Sequence, residues 1–493
     1  MNLLLLIGIP LLTAIFILLA QNDRQVRWFS FIGSTIQLIL AFVLLVAVWK
    51  EKSSGNPSDM LFVQSYPLFP SLNIHFHIGV DGIAASMILL TALVVLAGVL
   101  VSWTVDKMVK EFYLLLILLG WGAYGFFVSL DLFVLFFFLE IAVIPKYMLI
   151  GIWGSGKKEY SANKLALMLM SGSALVFVGL LGIYFAMPAE SRTFNMLEMS
   201  KQNIPMDGQL IYFPLLFIGF GVFTALFPLH TWVPDGHSSA PTAGSMFLAG
   251  ISMKLGGYGC LRVATFLMPE AAKHYSIYII ILAAIAILYG AFATMMQKDL
   301  KYINAYSSVS HCGFVLLGIG VLTQTAFTGA VMQMVSHGLM TALFFAVIGM
   351  IYERTHTRKV AEMSGLMKVM PFIITILFIA GLCSLGLPGL SGFVAEMTVF
   401  MGAWQNPDTI YRIVTVAACM SIVVTAVYIL RAIGQTGMGP IKDQFNSLKD
   451  ARWNERLAAI ILVAGIIAIG IAPFWLNELI KPGTEFLINR INK

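Results

Sequence analysis

Apolar runs of about twenty residues recur from the first residues of this chain almost to its last. Each is long enough to cross the roughly 30 Å hydrocarbon core of a bilayer as one helix. A backbone surrounded by hydrocarbon must satisfy its own hydrogen bonds, so runs of this length fold as helices. Of the 493 residues 59% are hydrophobic and 11% charged, against about 25% charged in soluble domains. The reading is an all-α membrane protein of about fourteen spans. They lie near 2–20, 28–49, 80–103, 111–129, 131–153, 161–187, 211–229, 240–267, 275–296, 301–321, 324–352, 371–403, 409–432 and 455–480. The first run, NLLLLIGIPLLTAIFILLA, has no basic segment before it and no small-residue cleavage site after it, and reads as a retained span.

Lys107, Lys110, Lys157, Lys158, Lys298, Arg354, Arg358, Lys359 and the stretch from Lys442 to Arg456 all follow odd-numbered spans. Basic loops stay on the cytoplasmic side, which puts both termini outside. The formal charge of +6 is accounted for by this asymmetry and calls for no nucleic-acid partner. Cys260, Cys312, Cys383 and Cys419 lie far apart inside apolar runs with no C-x-x-C, which argues against an iron–sulfur cluster or a disulfide framework. No Gly-rich phosphate loop or dinucleotide fingerprint follows a predicted strand, so no cofactor-binding site is expected in this chain. Between spans two and three, LNIHFHIGV alternates as a strand does and puts His75 and His77 on one face; a solvated hairpin is the expectation there rather than a metal pair. Residues 188–210 are polar and read as a surface loop.

Two spans are interrupted. The seventh reads IGFGVFTALFPLHTWVPDGH, with Pro228 and Pro234; the twelfth reads IAGLCSLGLPGLSGFVAEMTVF, with Pro388 among Gly386, Gly389 and Gly392. Helix breakers at membrane depth free carbonyls that must be buried in protein or wetted. The two breaks are five spans apart, and an odd offset inverts the second copy. Spans 4–8 and 9–13 therefore suggest inverted five-helix repeats, a transporter architecture; two unrelated proline kinks are the plainer alternative. The expected organisation is residues 1–110 (spans 1–3 with an outside hairpin), 111–267 (first repeat), 275–432 (second repeat) and 433–493 (last span and tail).

Six ionisable residues sit well inside spans: Glu140, Lys146, Lys254, His311, His337 and Glu396. On insertion scales a charge at the bilayer centre costs about 2.5–3.5 kcal/mol. If the set is structural, every member must be paired or neutral. As a functional set it has the chemistry of a proton wire, because burial brings carboxyl and amine groups toward neutrality and imidazole starts near it. The residues come from five spans with no short ligand spacing, so no metal centre is implied, and no nucleophile–base pair suggests covalent chemistry.

The stretches GVDGIAASM, LEIAVIPKYMLIGIWG, FPLHTWVPDGHSSAPTAGSMFLAGISMKLGGYG, QKDLKYINAYSSVSHCGFV, SHGLMTALFFAVIGMIYERTHTR and GLPGLSGFVAE carry a family likeness. The chain resembles the antiporter-like subunits of respiratory complex I, the proton-pumping NADH:quinone oxidoreductase. Within that family it is most similar to the M branch, the bacterial counterpart of mitochondrial subunit 4. Glu396 stands where the L-type subunit and the D subunit of multisubunit sodium/proton antiporters carry Lys, YERTHTR is M-like, and the fourteen expected spans leave out the long lateral helix of the L-type subunit.

The resemblance implies a proton path in which Glu140 gates the channel, Lys254 is the central carrier, His311 and His337 connect, and Glu396 hands the proton to the outside. It implies that quinone reduction elsewhere drives this path, with FMN, iron–sulfur clusters and quinone in partner subunits. It also implies that other membrane-arm subunits are the partners, in a bacterial inner membrane. A D-type antiporter subunit, a membrane subunit of a hydrogenase or formate-oxidising complex, and a membrane scaffold are the rival readings. One position departs. The family has a Lys in the seventh span, and Thr224 stands near that site here, while Lys146 occupies a fifth-span site where an apolar residue is expected. Lys146 is read as the replacement partner of Glu140, possible through a bend at Pro145.

Overall fold

A computed structural model of the chain describes residues 1–202 and 204–492. Helices α1 (Leu4–Leu19) and α2 (Asp23–Ser53) pair first, and a two-stranded antiparallel hairpin follows, β1 (Leu61–Phe69) and β2 (Ile74–Val80). Next come α3 (Gly82–Val101), α4 (Val109–Val128), α5 (Leu132–Ile141), α6 (Val143–Trp153), α7 (Lys158–Ala186), the short α8 (Met196–Met199) and α9 (Met206–Thr224). The middle of the chain holds α10 (Trp232–Ser239), α11 (Thr242–Phe247) and α12 (Met253–Gly259), then α13 (Pro269–Met295), α14 (Leu300–Gly320) and α15 (Gln324–Thr355). The last elements are α16 (Pro371–Leu385), α17 (Ser391–Trp404), α18 (Thr409–Gly437), α19 (Trp453–Ile471) and α20 (Phe474–Ile491). Among the described residues ten helical segments are long and apolar enough to cross a membrane.

Burial sorts these helices into layers. α15 and α3 are buried along almost their whole length, whereas α2, α7, α18 and α19 bury one face and expose the other. The exposed stripe of α18 runs Ile413, Val416, Met420, Val423, Val427, the three- and four-residue spacing of one helix face. In an aqueous protein such a stripe would be an unburied core; in a membrane it is the kind of face that lipid or a neighbouring helix covers. Polar side chains are drawn inward instead, onto α14, α15 and α17.

Acidic N-caps fix where several helices begin. Asp81 accepts the amide of Ala84 at 2.9 Å, Asp131 those of Phe133 and Val134 at 2.9 and 3.1 Å, and Asp299 that of Lys301 at 2.8 Å. Each satisfies an amide that the first turn leaves open. Asp81 also takes Arg262 Nη2 at 2.8 Å, with both side chains at most 2% exposed. This ion pair joins the start of α3 to the end of the eighth expected span.

The structure corrects several expectations. The fifth expected span is two helices, α5 and α6, broken at Ala142, so that Pro145 falls in the first turn of α6, where a missing amide costs least. The seventh breaks at Ala225–Thr231, around Pro228; Pro234 lies in the first turn of α10 and interrupts nothing. The twelfth breaks at Gly386–Leu390, with Gly386 and Gly389 at φ +78° and +92°, a conformation glycine reaches without penalty. The last expected span, 455–480, is not continuous: α19 stops at Ile471 and a separate amphipathic helix, α20, begins after Pro473. Residues 188–210 are not a plain surface loop, since Phe194, Met196, Met199 and Ile204 are buried and Asn195 bridges to Asp131. The hairpin is present, and His75 and His77 line one small polar recess of about 130 Å³ with Asn73, Asp131 and Glu198. Burial holds the His77 ring below its usual pKa, against the pull of Glu198.

Candidate functional site

The eighth span, read from sequence as one regular helix, carries two π-helical stretches, Leu248–Ser252 and Cys260–Thr265, on either side of α12. π-turns inside α-helices mark functional positions more often than regular turns do. Lys254 sits between them, 1% exposed. Its Nζ donates to the carbonyl of Ala249, five residues back in the π stretch, at 2.5 Å, and lies 2.7 Å from Nδ1 of His337.

His337 lies on α15, the most enclosed helix. Its ring centroid is 5.3 Å from that of His311 on α14. His311 Nδ1 lies 3.2 Å from Glu396 Oε1 on α17, and its Nε2 lies 3.0 Å from Ser384 Oγ on α16. Glu396 owes its place to the break between α16 and α17: a Cβ on Gly386 would lie 3.0 Å from Glu396 Oε2, so the left-handed glycine also makes room for the carboxylate. The structure therefore brings Lys254, His337, His311 and Glu396 together, in that spatial order, from four different helices.

Glu140 and Lys146 stand apart from this line, on α5 and α6. Glu140 is half-buried and Lys146 is 1% exposed. Among the described residues no hydrogen bond reaches Glu140 Oε1 or Lys146 Nζ, and the two make no ion pair within 4.0 Å. The Lys146 ammonium lies 5.8 Å from the ring centroid of Phe223. The side chain beside the Lys146 ammonium is thus that of Phe223, one residue before Thr224, which the sequence placed near the family's seventh-span Lys site. Thr224 donates to Phe220 O at 3.2 Å and packs on Gly256, where a Cβ would meet its Oγ1 at 2.3 Å. It faces α12.

Sequence reasoning passed over other buried polar groups. His237, on α10, is fully buried, is stacked 5.3 Å from Phe345, and has no hydrogen-bond partner at either ring nitrogen. Lys301 donates to Ala240 O at 2.6 Å, and Lys164 pairs with Asp235 at 2.7 Å where α7 meets α10. The signal for His237 was in view: it lies seven residues, two helical turns, after His230 in the same motif. No group of three or more side chains placed to hold a metal ion occurs among the described residues.

Residues 129–422 match the family described as NADH:quinone oxidoreductase/Mrp antiporter, TM. The chain belongs to that family. The matched region runs from the cap of α5 into α18 and contains every residue of the line and of the Glu140–Lys146 region. A relative in Microcystis aeruginosa, NAD(P)H-quinone oxidoreductase chain 4 2, is 35% identical over 95% of this chain and 89% of its own length. The NADH-quinone oxidoreductase subunit M of Rickettsia prowazekii is 34% identical over 95% of this chain and 94% of its own. The likeness thus reaches the M branch that the sequence pointed to. Among solved structures, a chain of respiratory complex I from Thermus thermophilus superposes with a TM-score of 0.89 at 25% identity, covering 99% of each chain. A chain of the Mrp complex from Dietzia sp. superposes at 0.86 with 18% identity, which speaks to the shared fold alone.

Proposed function

We propose that this chain is a proton-translocating membrane-arm subunit of a bacterial NADH:quinone oxidoreductase. It carries protons from the cytoplasm to the outside of the inner membrane and moves no electrons. The observation that carries this reading is the line Lys254–His337–His311–Glu396, whose members lie within hydrogen-bond reach or ring contact of one another inside an apolar protein. A protonated Lys254 donates to His337 Nδ1. His337 passes the proton to the adjacent ring of His311, and His311 passes it to the carboxylate of Glu396, at the second helix break. Each imidazole has two ring nitrogens that can take up and release a proton, which suits the pair to pass one along. Glu140, with Lys146 beside it, is read as the control point at the other end. The redox groups, FMN, iron–sulfur clusters and quinone, belong to partner subunits, and the other membrane-arm subunits are the expected neighbours. Two inverted five-helix halves, each with one broken helix, account for the placement of the breaks at Ala225–Thr231 and Gly386–Leu390.

A D-type subunit of a sodium/proton antiporter shares the fold. A carboxylate at Glu396 and relatives named subunit M favour the oxidoreductase. The test is proton uptake by inverted membrane vesicles during NADH oxidation. With Lys254→Met the complex assembles and the protons moved per electron fall; an assembled variant that pumps at the wild-type ratio overturns the reading.

A further inference from the structure

A groove of about 790 Å³ opens between α2, α3, α19 and α20, with α15 as its floor. Its lining is almost wholly apolar. Ile39, Phe42 and Val46, on the α2 wall, are more than half exposed, whereas Ser86 and Leu90, deeper in, are at most 3% exposed. The groove is therefore open to the side of the protein and reaches well into it.

Contacts at its two ends set its direction. Asn454, at the start of α19, donates to Leu100 O at the end of α3, at 2.8 Å. At the other end α20 lies against the start of α3, where a Cβ on Gly82 would meet Leu479 O at 1.7 Å. Trp49, Ser86 and Ile469 thus line the end next to α20, and Leu38, Leu93 and Ile461 line the far end. Along α2 the groove runs from Leu38 to Trp49, about 16 Å of helical rise. One leaflet is half of a hydrocarbon core of roughly 30 Å, so the groove is as long as one leaflet is deep.

The end next to α20 has the features of a membrane surface. Trp49 and Trp475 both line it, and Trp gathers where hydrocarbon meets headgroups. Lys50 comes one residue after Trp49 and is exposed. It follows Val46 by four residues and Val43 by seven, both of them groove residues, and that spacing puts it on the same helix face. An apolar channel one leaflet long thus ends at a cation. A spanning helix suits it poorly, because such a helix needs about 20 residues and this groove covers half that height and is crossed by α20.

We propose that the groove holds one acyl chain of a phospholipid, with the headgroup phosphate on Lys50. The acyl chain packs on Val335 and Leu339 of α15, the residues two before and two after His337. The lipid therefore touches the helix that carries the middle of the relay without entering the relay. The inference does not rest on the relay reading: the groove binds lipid whether or not protons move along the line.

The experiment uses the assembled complex in vesicles of phosphatidylethanolamine that contain phosphatidylglycerol with a diazirine near the end of one acyl chain. Illumination followed by digestion and mass spectrometry locates the label, and the exposed apolar faces elsewhere on the chain give the reference level. Label is expected within 86–93, 335–339 and 461–469 at several times that level, and unlabelled phosphatidylglycerol competes it away. Ala468→Phe fills the groove from α19, abolishes the groove label and leaves the reference unchanged. Val46→Phe does the same from α2 and serves if the α19 variant fails to assemble. Lys50→Gln lowers the groove label about fivefold, the worth of one basic residue at an anionic lipid surface. Groove label at the reference level, label that survives both phenylalanine variants, or Lys50→Gln without effect overturns the proposal. So does competition by a quinone in place of phosphatidylglycerol, or an unlabelled groove that cross-links to another subunit; these outcomes would assign the groove to a quinone tail or to protein.

Discussion

The two charged regions of this protein are built on opposite plans. From Lys254 to Glu396 each ionisable group touches the next, at 2.7 Å, 5.3 Å between ring centroids, and 3.2 Å, and serines at 384 and 391 fill in around them. Around Glu140 and Lys146 the same kinds of residue are present, but among the described residues no hydrogen bond reaches Glu140 Oε1 or Lys146 Nζ. The line is the more fully connected of the two, with His337 Nε2 left open among the described residues, and a connected network resists movement because shifting one member leaves others unpaired in a low-dielectric interior. An unfinished one holds its groups loosely and can be reset. On the proposed function, the contrast fits conduction in the first region and control in the second. It also explains why the helices differ: α14 and α15 are continuous where the line crosses them, while α5 and α6 are separated by a break between the acid and the base.

The comparison breaks most sharply at His337. His337→Phe keeps an aromatic ring of similar size and removes the proton carrier, so translocation falls by about a hundredfold or more, within the range for losing a general acid–base group. Proton uptake per electron measures it, and a wild-type ratio would mean that the line does not conduct. Glu140→Gln reduces pumping strongly too, but Glu140→Asp retains part, because a loosely held control group tolerates a shorter carboxylate. Equal loss in both would mean that Glu140 packs rather than controls. Gly386→Ala forces a side chain into the left-handed region, at a cost of about 1–2 kcal/mol, and pushes a methyl toward Glu396. A lower thermal midpoint of the complex and a partial loss of pumping are the expected results. The smallest effect belongs to metal removal: chelation leaves pumping unchanged, and metal analysis assigns nothing to this chain. A transition metal found on His311 or His337 would turn the conducting line into a coordination site.

The sequence made some of this legible and hid the rest for identifiable reasons. Glycine and proline announced the break between α16 and α17, since Gly386 and Gly389 need positive φ. The six buried ionisable residues stood out because charge is rare in apolar runs. The order of the relay did not show, because His311 precedes His337 along the chain while His337 is the one that touches Lys254. The π stretches around Lys254 were invisible: FLAGISMKLGGYG has the same apolar character whichever hydrogen bond each amide chooses. Phe223 went unnoticed as the neighbour of Lys146, because the residues alone do not say which face the last turn before a break presents. Arg262 was missed as a buried charge because its partner, Asp81, caps a helix far away in the chain. Polar composition hid the buried Phe194, Met196 and Met199, which anchor a segment that otherwise looks solvated.

The bulges that bracket Lys254 also set its aim. An α-helix turns by about 100° per residue, and a π stretch spends more residues on a turn than an α-helix does. The five residues Leu248–Ser252 therefore act as a phase offset between α11 and α12. If the same five residues relaxed into ordinary α-helix, nothing would unravel, yet Lys254 would rotate by about a quarter turn relative to α11 and its amine would swing away from His337. A change in which carbonyl each amide chooses, within one stretch of unremarkable apolar residues, would then disconnect the line while leaving every titratable group in the protein intact.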